Sequence, residues 1–226
     1  PLGVATGDVD DDGDLDIVVA NLVDGEIVLL RNDSSGSFGA PIHLVTITRP
    51  RALHLADLDA DGILDLIVTN DLPGTVAVAK GTGGGAFSTP SIYNVGAFPI
   101  SVAAGDVDGD GDLDLATANF AIPVGSAEPS VTLLANDGLG EFSELDTISI
   151  GSHPTDVEFA DLDADGDRDL AVVSTLTDEL LNVLFNDGHG GLRDPVTYEV
   201  GQYAHALAIS DLDIDGHLDI VVTNRN

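Results

Sequence analysis

The sequence predicts an all-β protein of the β-propeller class, built from four-stranded antiparallel blades. A nine-residue acidic motif recurs five times in the 226 residues, with starts at 8, 57, 106, 161 and 211. Four short β-type runs separate one motif from the next, and no segment has a sustained helical period. Tandem four-stranded units of about 50 residues are typical of propellers, whereas the repeats of a β-solenoid, the runner-up, are shorter.

The repeat divides a single propeller over residues 1–226 into five units. Their predicted bounds are 1–49, 50–98, 99–153, 154–203 and 204–226. The last unit is less than half the length of the others, so we expect four blades and a half blade of a larger ring. The last predicted strand would leave an apolar edge open, and we expect missing blades or a partner chain to cover it.

Within each unit the strands can be taken in order. The first strand ends on a small residue (Gly7, Ala56, Gly105, Ala160 or Ser210), which allows close backbone approach near a crowded axis. The second strand is almost continuously apolar, as in LDLIVTN, which indicates burial on both faces. The third strand ends in a turn rich in Asn, Asp and Gly, and the fourth alternates polar and apolar residues as an outer strand should.

The motif between the first and second strands reads D-x-D-x-D-G-x-x-D and predicts calcium binding. Ca²⁺ takes six to eight oxygen ligands at about 2.3–2.6 Å, and glycine at the sixth position allows the sharp turn. The seventh position would supply its backbone carbonyl, since Ile63 has no side-chain oxygen. We therefore expect about five Ca²⁺ ions. The predicted ligands are Asp8, Asp10, Asp12, Asp14 and Asp16; Asp57, Asp59, Asp61, Ile63 and Asp65; Asp106, Asp108, Asp110, Asp112 and Asp114; Asp161, Asp163, Asp165, Asp167 and Asp169; and Asp211, Asp213, Asp215, His217 and Asp219.

Two other interpretations of the motif are disfavoured. An EF-hand needs a glutamate at position twelve and flanking helices, but here that position holds Val or Thr and a β-type run follows. An ordinary solvated acidic turn does not explain five recurrences in fixed register.

Composition restricts the class of partner. The formal net charge is −33, and 24 of the 40 acidic residues lie in the five motifs. This charge disfavours nucleic acid and anionic lipid as partners. The chain has no cysteine, and no apolar run is long enough for direct membrane insertion. Because loops of this kind suit the calcium concentrations outside cells, we expect an extracellular, secreted or cell-surface protein.

A binding surface is predicted on the face opposite the acidic motifs. The links from second to third strands and the junctions between units lie there, including the long link 121–130. Aromatic and arginine side chains are frequent at binding sites for sugars and peptides. The candidate ligand-binding residues are Arg49, Arg51, Phe98, Phe120, His153, Tyr203 and His205.

Two further functions remain open, a structural spacer within a larger surface protein and a polysaccharide-active enzyme. Asp156 and Glu158 are the candidate carboxylate pair, because their alternate spacing puts both on one face of a strand. Polar residues lining a channel would have the same spacing, and no nucleophile elbow or phosphate-binding loop is present. We therefore expect no enzymatic activity.

The motifs, together with SFGAP at 37–41 and AFSTP at 86–90, resemble FG-GAP (VCBS-type) repeats. These repeats build the seven-bladed propellers of integrin α-subunits and of some fungal lectins. The resemblance implies a ring of about seven blades, the aspartates of the motifs as calcium ligands, and adhesion or carbohydrate binding. The chain departs from the pattern in its number of units and in GLRDP at 191–195, which lacks the phenylalanine.

Overall fold

The computed structural model describes residues 1–121, 128–176 and 179–225, and these residues form strands and no α-helix. The first sheet contains β1 (Gly3–Gly7), β2 (Asp16–Asn21), β3 (Glu26–Leu30) and β4 (Ile42–Thr46). The second contains β5 (Pro50–Ala56), β6 (Asp65–Asn70) and β7 (Thr75–Ala79), then a separate hairpin of β8 (Gly81–Gly83) and β9 (Ala86–Phe87), and finally β10 (Ser91–Asn94).

The remaining sheets repeat this order. The third contains β11 (Pro99–Gly105), β12 (Asp114–Asn119), β13 (Ser130–Asn136) and β14 (Phe142–Ser149). The fourth contains β15 (His153–Ala160), β16 (Asp169–Thr175), β17 (Leu180–Leu184) and β18 (Val196–Glu199). The fifth contains β19 (Ala204–Ser210) and β20 (Asp219–Asn224). All pairings are antiparallel between neighbours, so the predicted all-β class and the four-stranded blades are confirmed.

The register closes each acidic motif between the first and second strands of its blade. Gly7 pairs with Asp16 in the first sheet, and the corresponding pairs recur in the other four. The first residue of the motif therefore follows the end of one strand, and the ninth begins the next. All five motifs occupy the same place in their sheets.

The core lies between neighbouring blades and not inside any one of them. In β6, Leu66 and Val68 belong to the cluster shared with the first sheet, while Ile67 belongs to the cluster shared with the third. Every residue of β6, β12 and β16 is buried, which confirms the predicted burial of these strands on both faces. In β2, buried and half-buried residues alternate, because one face of the first sheet has no neighbouring sheet in the structure.

The inner strands β1, β5, β11, β15 and β19 lie side by side in sequence order. The small residues at their ends permit this approach. A Cβ added at Gly105 would lie 2.7 Å from the Cβ of Phe159 on the next inner strand, so any side chain there would clash. The β8–β9 hairpin was not predicted as a separate element. The part of the chain that the structure describes has no helix with the length and hydropathy of a membrane span.

Candidate metal centres and the opposite face

The first aspartate of each motif folds the loop around its own carboxylate. In the first loop, Asp8 Oδ1 accepts a hydrogen bond from the N–H of Asp12 at 3.1 Å, and Asp8 Oδ2 accepts one from Gly13 at 2.9 Å. The bond to the sixth-position glycine recurs in the other four loops at 2.9–3.2 Å. An aspartate at position one and a glycine at position six therefore specify one backbone turn in all five loops.

The loops also require left-handed backbone at two positions. The sixth-position glycines have φ of 86–101°, as the motif predicts. The fourth position is left-handed as well, and sequence reasoning missed it. In four loops this position holds a residue with a side chain, and the β-branched Ile214, at φ 65°, is the least suited to that conformation. The one available signal was Gly109, the glycine at the fourth position of the third loop.

The ninth aspartate is buried and ties the loop to the end of the third strand. Asp114 is fully buried, and its two oxygens accept hydrogen bonds from the N–H groups of Val107 and Asn136, each at 2.9 Å. Asp16, Asp65 and Asp169 make the equivalent pair of bonds. These carboxylates were predicted only as metal ligands, and the structure shows that they also hold the blade together.

Each loop brings three carboxylates together. One oxygen from each of the three residues lies within 4.8 Å of the other two, a spacing that could hold a metal ion. Four loops use positions one, three and nine, and the second loop uses positions one, three and five. The groups are Asp8, Asp10 and Asp16; Asp57, Asp59 and Asp61; Asp106, Asp108 and Asp114; Asp161, Asp163 and Asp169; and Asp211, Asp213 and Asp219.

The remaining predicted ligands lie outside these groups. The fifth-position carboxylates of the first, third, fourth and fifth loops lie outside the groups. In all five loops, including the second, this carboxylate accepts the N–H of the seventh residue. Asp65, the ninth residue of the second loop, is also outside its group. Seventh-position side chains contact the turn of their own blade: Asp14 Oδ2 accepts a hydrogen bond from Ser34, and Ile63 lies against Gly81. This orientation agrees with a seventh residue that offers only its carbonyl.

In the first and second loops, buried oxygens without hydrogen-bond partners indicate that the site suits a cation. Asp10 Oδ1 and Asp59 Oδ1, both from third positions, are buried and unpaired in the described chain. Burial raises the pKa of Asp10 and of Asp108, and neighbouring carboxylates add to each shift. Burial also raises the pKa of Asp114 to about 6, against the opposing effect of its two N–H donors. A hard cation with oxygen ligands would remove the cost of these crowded charges, so the donor set fits Ca²⁺.

On the opposite face, three of the predicted ligand-binding residues share an unusual backbone conformation. Arg49, Phe98 and Tyr203 each precede the inner strand of a blade, and their φ values are 53°, 55° and 56°. The carbonyls of all three accept a hydrogen bond from a residue just after the second strand of the same blade. This bond joins the start of the first strand to the end of the second strand. The side chain of Tyr203 remains exposed.

The predicted ligand-binding residues also make an aromatic pair and a group of ion pairs, and two of them line a cavity. Phe120 and His153 lie with ring centroids 5.0 Å apart. Arg49 makes a bidentate ion pair with buried Asp71 at 2.6 and 3.0 Å, and Arg51 lies 3.6 Å from the same carboxylate. Arg51 and His205 line a cavity of about 540 Å³ among the inner strands. Residues 122–127 of the predicted long link lie outside the described chain.

The candidate catalytic pair lies on β15. Asp156 Oδ1 accepts hydrogen bonds from the Ser101 hydroxyl at 2.6 Å and from the N–H of Val157, and its Oδ2 accepts the N–H of Leu207. Burial raises the pKa of Glu158, and the charge of Asp156 adds to the shift. Both oxygens of Asp156 are therefore engaged in holding three inner strands together.

Comparison with known proteins agrees with the repeats and the sheets. The sequence matches the FG-GAP-like repeat family at residues 8–68, 57–117 and 161–222, well over half of the chain. The chain belongs to this family. No curated protein matches it by sequence.

Two solved structures resemble this FG-GAP-like chain in fold. The first is an Agrocybe aegerita lectin that recognises non-reducing terminal N-acetylglucosamine, with 19% identity and a TM-score of 0.65 over 97% of this chain. The second is a chain of a nidogen–laminin complex, with 18% identity and a TM-score of 0.60 over 91% of this chain. This chain spans 59% of the length of the lectin and 67% of the other chain. At these identities the likeness establishes the propeller fold alone.

Proposed function

We propose that this chain is an extracellular, calcium-binding propeller module that binds a carbohydrate or protein ligand and has no catalytic activity. The observation that carries the calcium part is the recurrence of three carboxylates within 4.8 Å of one another in all five loops. Unpaired buried oxygens at Asp10 and Asp59 support it. A bound Ca²⁺ would supply positive charge at the centre of each loop, with the carboxylates and the seventh carbonyl as its ligands.

The proposed ligand surface is the face opposite the loops. Left-handed backbone costs a residue with a side chain roughly 1–3 kcal/mol, and such residues cluster at binding sites. Phe98 and Tyr203 have this conformation at corresponding places in two blades, and Tyr203 is 54% exposed. The Phe120–His153 pair adds a second aromatic cluster. Aromatic faces with nearby polar groups suit sugars and peptides. One of the two similar structures is a lectin that recognises N-acetylglucosamine, and the other is a chain of a protein–protein complex.

The geometry gives less support to the alternatives. An acid–base pair for glycoside hydrolysis needs two carboxylates free to reach the substrate, but both oxygens of Asp156 accept hydrogen bonds from the protein. One observation favours a role as part of a larger assembly. An apolar groove of about 270 Å³ lies beside β20, lined by Leu181, Val183, Phe185, Tyr198 and Ile220 among others. A further blade or a partner chain at this groove remains a prediction.

The ligand surface can be tested with two probes, glycans ending in N-acetylglucosamine and purified laminin, both in millimolar calcium. We expect a Phe98→Ala, Phe120→Ala, Tyr203→Ala variant to lose binding at least tenfold. The control variant replaces exposed leucines on the loop side, Leu15, Leu139 and Leu212, with alanine. Equal unfolding midpoints would show that both variants fold. Binding that survives in the aromatic variant but is lost in the control would refute the proposed surface.

A further inference from the structure

Two of the five loops have a basic side chain on the carboxylate of their third position. Arg31 Nη1 lies 3.2 Å from Asp10 Oδ2, and Lys80 Nζ lies 3.9 Å from Asp59 Oδ2. Arg31 and Lys80 occupy the same place in their blades, directly after the third strand and before the turn. The first and second loops therefore share a feature that the metal-binding motif itself does not contain.

Each basic side chain also reaches the turn of the next blade. Arg31 Nη2 donates a hydrogen bond to the carbonyl of Gly84 at 2.5 Å, and Lys80 Nζ donates one to the carbonyl of Leu139. Glycines in these turns leave the necessary space. A Cβ at Gly85 would lie 2.7 Å from Arg31 Nη2, and one at Gly140 would lie 3.0 Å from Lys80 Cε. The charged group of Arg31 or Lys80 thus lies between the loop of one blade and the turn of the next.

The third loop is built differently. Its blade has Ala135 at the equivalent position, and the turn of the next blade approaches the third-position aspartate directly. A Cβ at Gly190 would lie 3.1 Å from the Cβ of Asp108. The fourth blade has Phe185 there, and Arg168 within the fourth loop makes no ion pair among the described residues. Across the described ranges, no basic side chain lies within 4 Å of a carboxylate of the third, fourth or fifth loop.

We propose that Arg31 and Lys80 are built-in counter-cations that divide the calcium sites into two classes. The first and second loops bind calcium more weakly than they would without these side chains, because a fixed positive charge repels the incoming ion. The second loop, with four carboxylates and one lysine, is weaker than the third and fourth, which have five carboxylates each. When calcium is scarce, the same charges reduce repulsion among the carboxylates and hold the first three blades together. This inference rests on the proposed calcium binding.

Removing either charge should have effects of opposite sign on the two forms of the protein. The calcium-free form should lose stability, while calcium affinity at that one loop should rise by roughly 3- to 10-fold. The estimate reflects a unit charge a few ångströms from a divalent ion, reduced by solvent and salt because the side chains are 40% and 32% exposed. If the basic residue served only to hold the two blades together, its removal would destabilise both forms and would leave the calcium affinity unchanged.

The loops can be followed separately through their sixth-position glycines. Selective ¹⁵N-glycine labelling shows the amides of all 26 glycines. Among them, each loop is followed through its sixth-position glycine, which is Gly13, Gly62, Gly111, Gly166 or Gly216. Because each of these amides donates to the first carboxylate of its loop, its chemical shift should follow calcium binding at that loop. In a calcium titration of the unaltered protein, we expect Gly111 and Gly166 to shift at lower calcium than Gly62.

The variants test the assignment directly. Arg31→Gln should move only the Gly13 transition to lower calcium, and Lys80→Gln should move only the Gly62 transition. Both should lower the unfolding midpoint in EDTA. Arg225→Gln, which removes the same charge from the opposite face, should do neither. Charge-conserving variants, Arg31→Lys and Lys80→Arg, should retain the affinities of the unaltered protein.

The outcomes separate this inference from the function on which it rests. If no loop glycine responds to calcium in the unaltered protein, the proposed calcium binding fails and the inference fails with it. If all five respond but Gly62 shifts together with or before Gly111 and Gly166, the two-class inference alone is overturned. The same holds if the glutamine variants leave the Gly13 and Gly62 transitions unchanged or move them to higher calcium. A variant that does not fold leaves the order of sites in the unaltered protein as the deciding result.

Discussion

At the scale of single residues, the ninth aspartate of the first, third and fourth loops has two roles that use the same oxygens. Asp114 accepts two backbone N–H groups and also lies in a group of carboxylates that could hold a metal. A carboxylate oxygen has enough lone-pair capacity for both. Loss of this side chain would therefore remove a ligand and leave two buried donors unpaired.

We predict that Asp114→Ala lowers the free energy of unfolding by about 3–5 kcal/mol in calcium, since each unpaired buried donor costs roughly 1–3 kcal/mol. It should also reduce the bound calcium by one ion. Asp112→Asn is the matched control, because this seventh-position side chain lies against Gly138 and is expected to offer the metal only its carbonyl. Chemical denaturation and equilibrium dialysis measure both effects. An Asp112→Asn variant that loses an ion while Asp114→Ala keeps all of them would reverse these roles.

Much of the loop was predictable from residue types, because only a few chemistries suit alternating aspartates with a glycine at position six. The predicted clustering holds for positions one and three in every loop. The involvement of Asp65 in backbone bonding, and the position of the fifth aspartate outside the group in every loop but the second, were not predictable. Both depend on distances between oxygens that sequence spacing does not determine. The strained fourth position was missed because only Gly109 indicates it.

At the scale of elements, an asparagine at or just after the end of the third strand joins the third and fourth blades to the loop of the preceding blade. Asn136 Nδ2 donates to the carbonyl of Leu58 at 2.7 Å, and Asn186 Nδ2 donates to that of Val107 at the same distance. In the second blade the backbone N–H of Gly85 makes the equivalent bond to Val9 at 3.1 Å. The second residue of the acidic motif is therefore an acceptor for the neighbouring blade.

This interblade hydrogen bond predicts that asparagine-to-alanine substitutions at equivalent positions of two blades lower the unfolding free energy by different amounts. Asn136→Ala removes two donated and two accepted hydrogen bonds of a buried side chain, and we expect a loss of about 2–4 kcal/mol in unfolding free energy. Asn32→Ala removes one hydrogen bond, to Leu15 within its own blade, and should cost about 1 kcal/mol or less. Urea denaturation of the two variants makes the comparison. Equal losses would show that the interblade bond contributes nothing measurable.

The strands themselves were largely predictable, because a continuous apolar run such as β6 or β16 can only be buried on both faces. The interblade bonds were not, since they join residues 78 or 79 positions apart. Asparagine in a turn has an adequate local explanation in its tolerance of turn conformations. Sequence alone gives no reason to look for its partner in the preceding blade.

At the scale of the whole molecule, negative charge is concentrated where neighbouring blades meet. The loops hold 24 carboxylates in a chain with a net charge of −33, and the cores that join the sheets begin directly beside them, at residues such as Val9, Leu58 and Val107. Repulsion within the loops therefore acts against the packing between blades. Bound calcium would reverse this effect in every loop at once.

Thermal unfolding in EDTA and in millimolar calcium tests this account most directly. One site at 100 times its Kd stabilises a protein by about 2.7 kcal/mol, and 1 kcal/mol shifts the midpoint of a domain of this size by about 2–4 °C. Several sites together should therefore raise the midpoint by more than about 10 °C. Magnesium at the same concentration is the control and should give a much smaller shift, because it requires near-ideal octahedral geometry and gives up its water reluctantly. A midpoint in EDTA equal to that in calcium would contradict the central claim that these loops are calcium sites on which the fold depends.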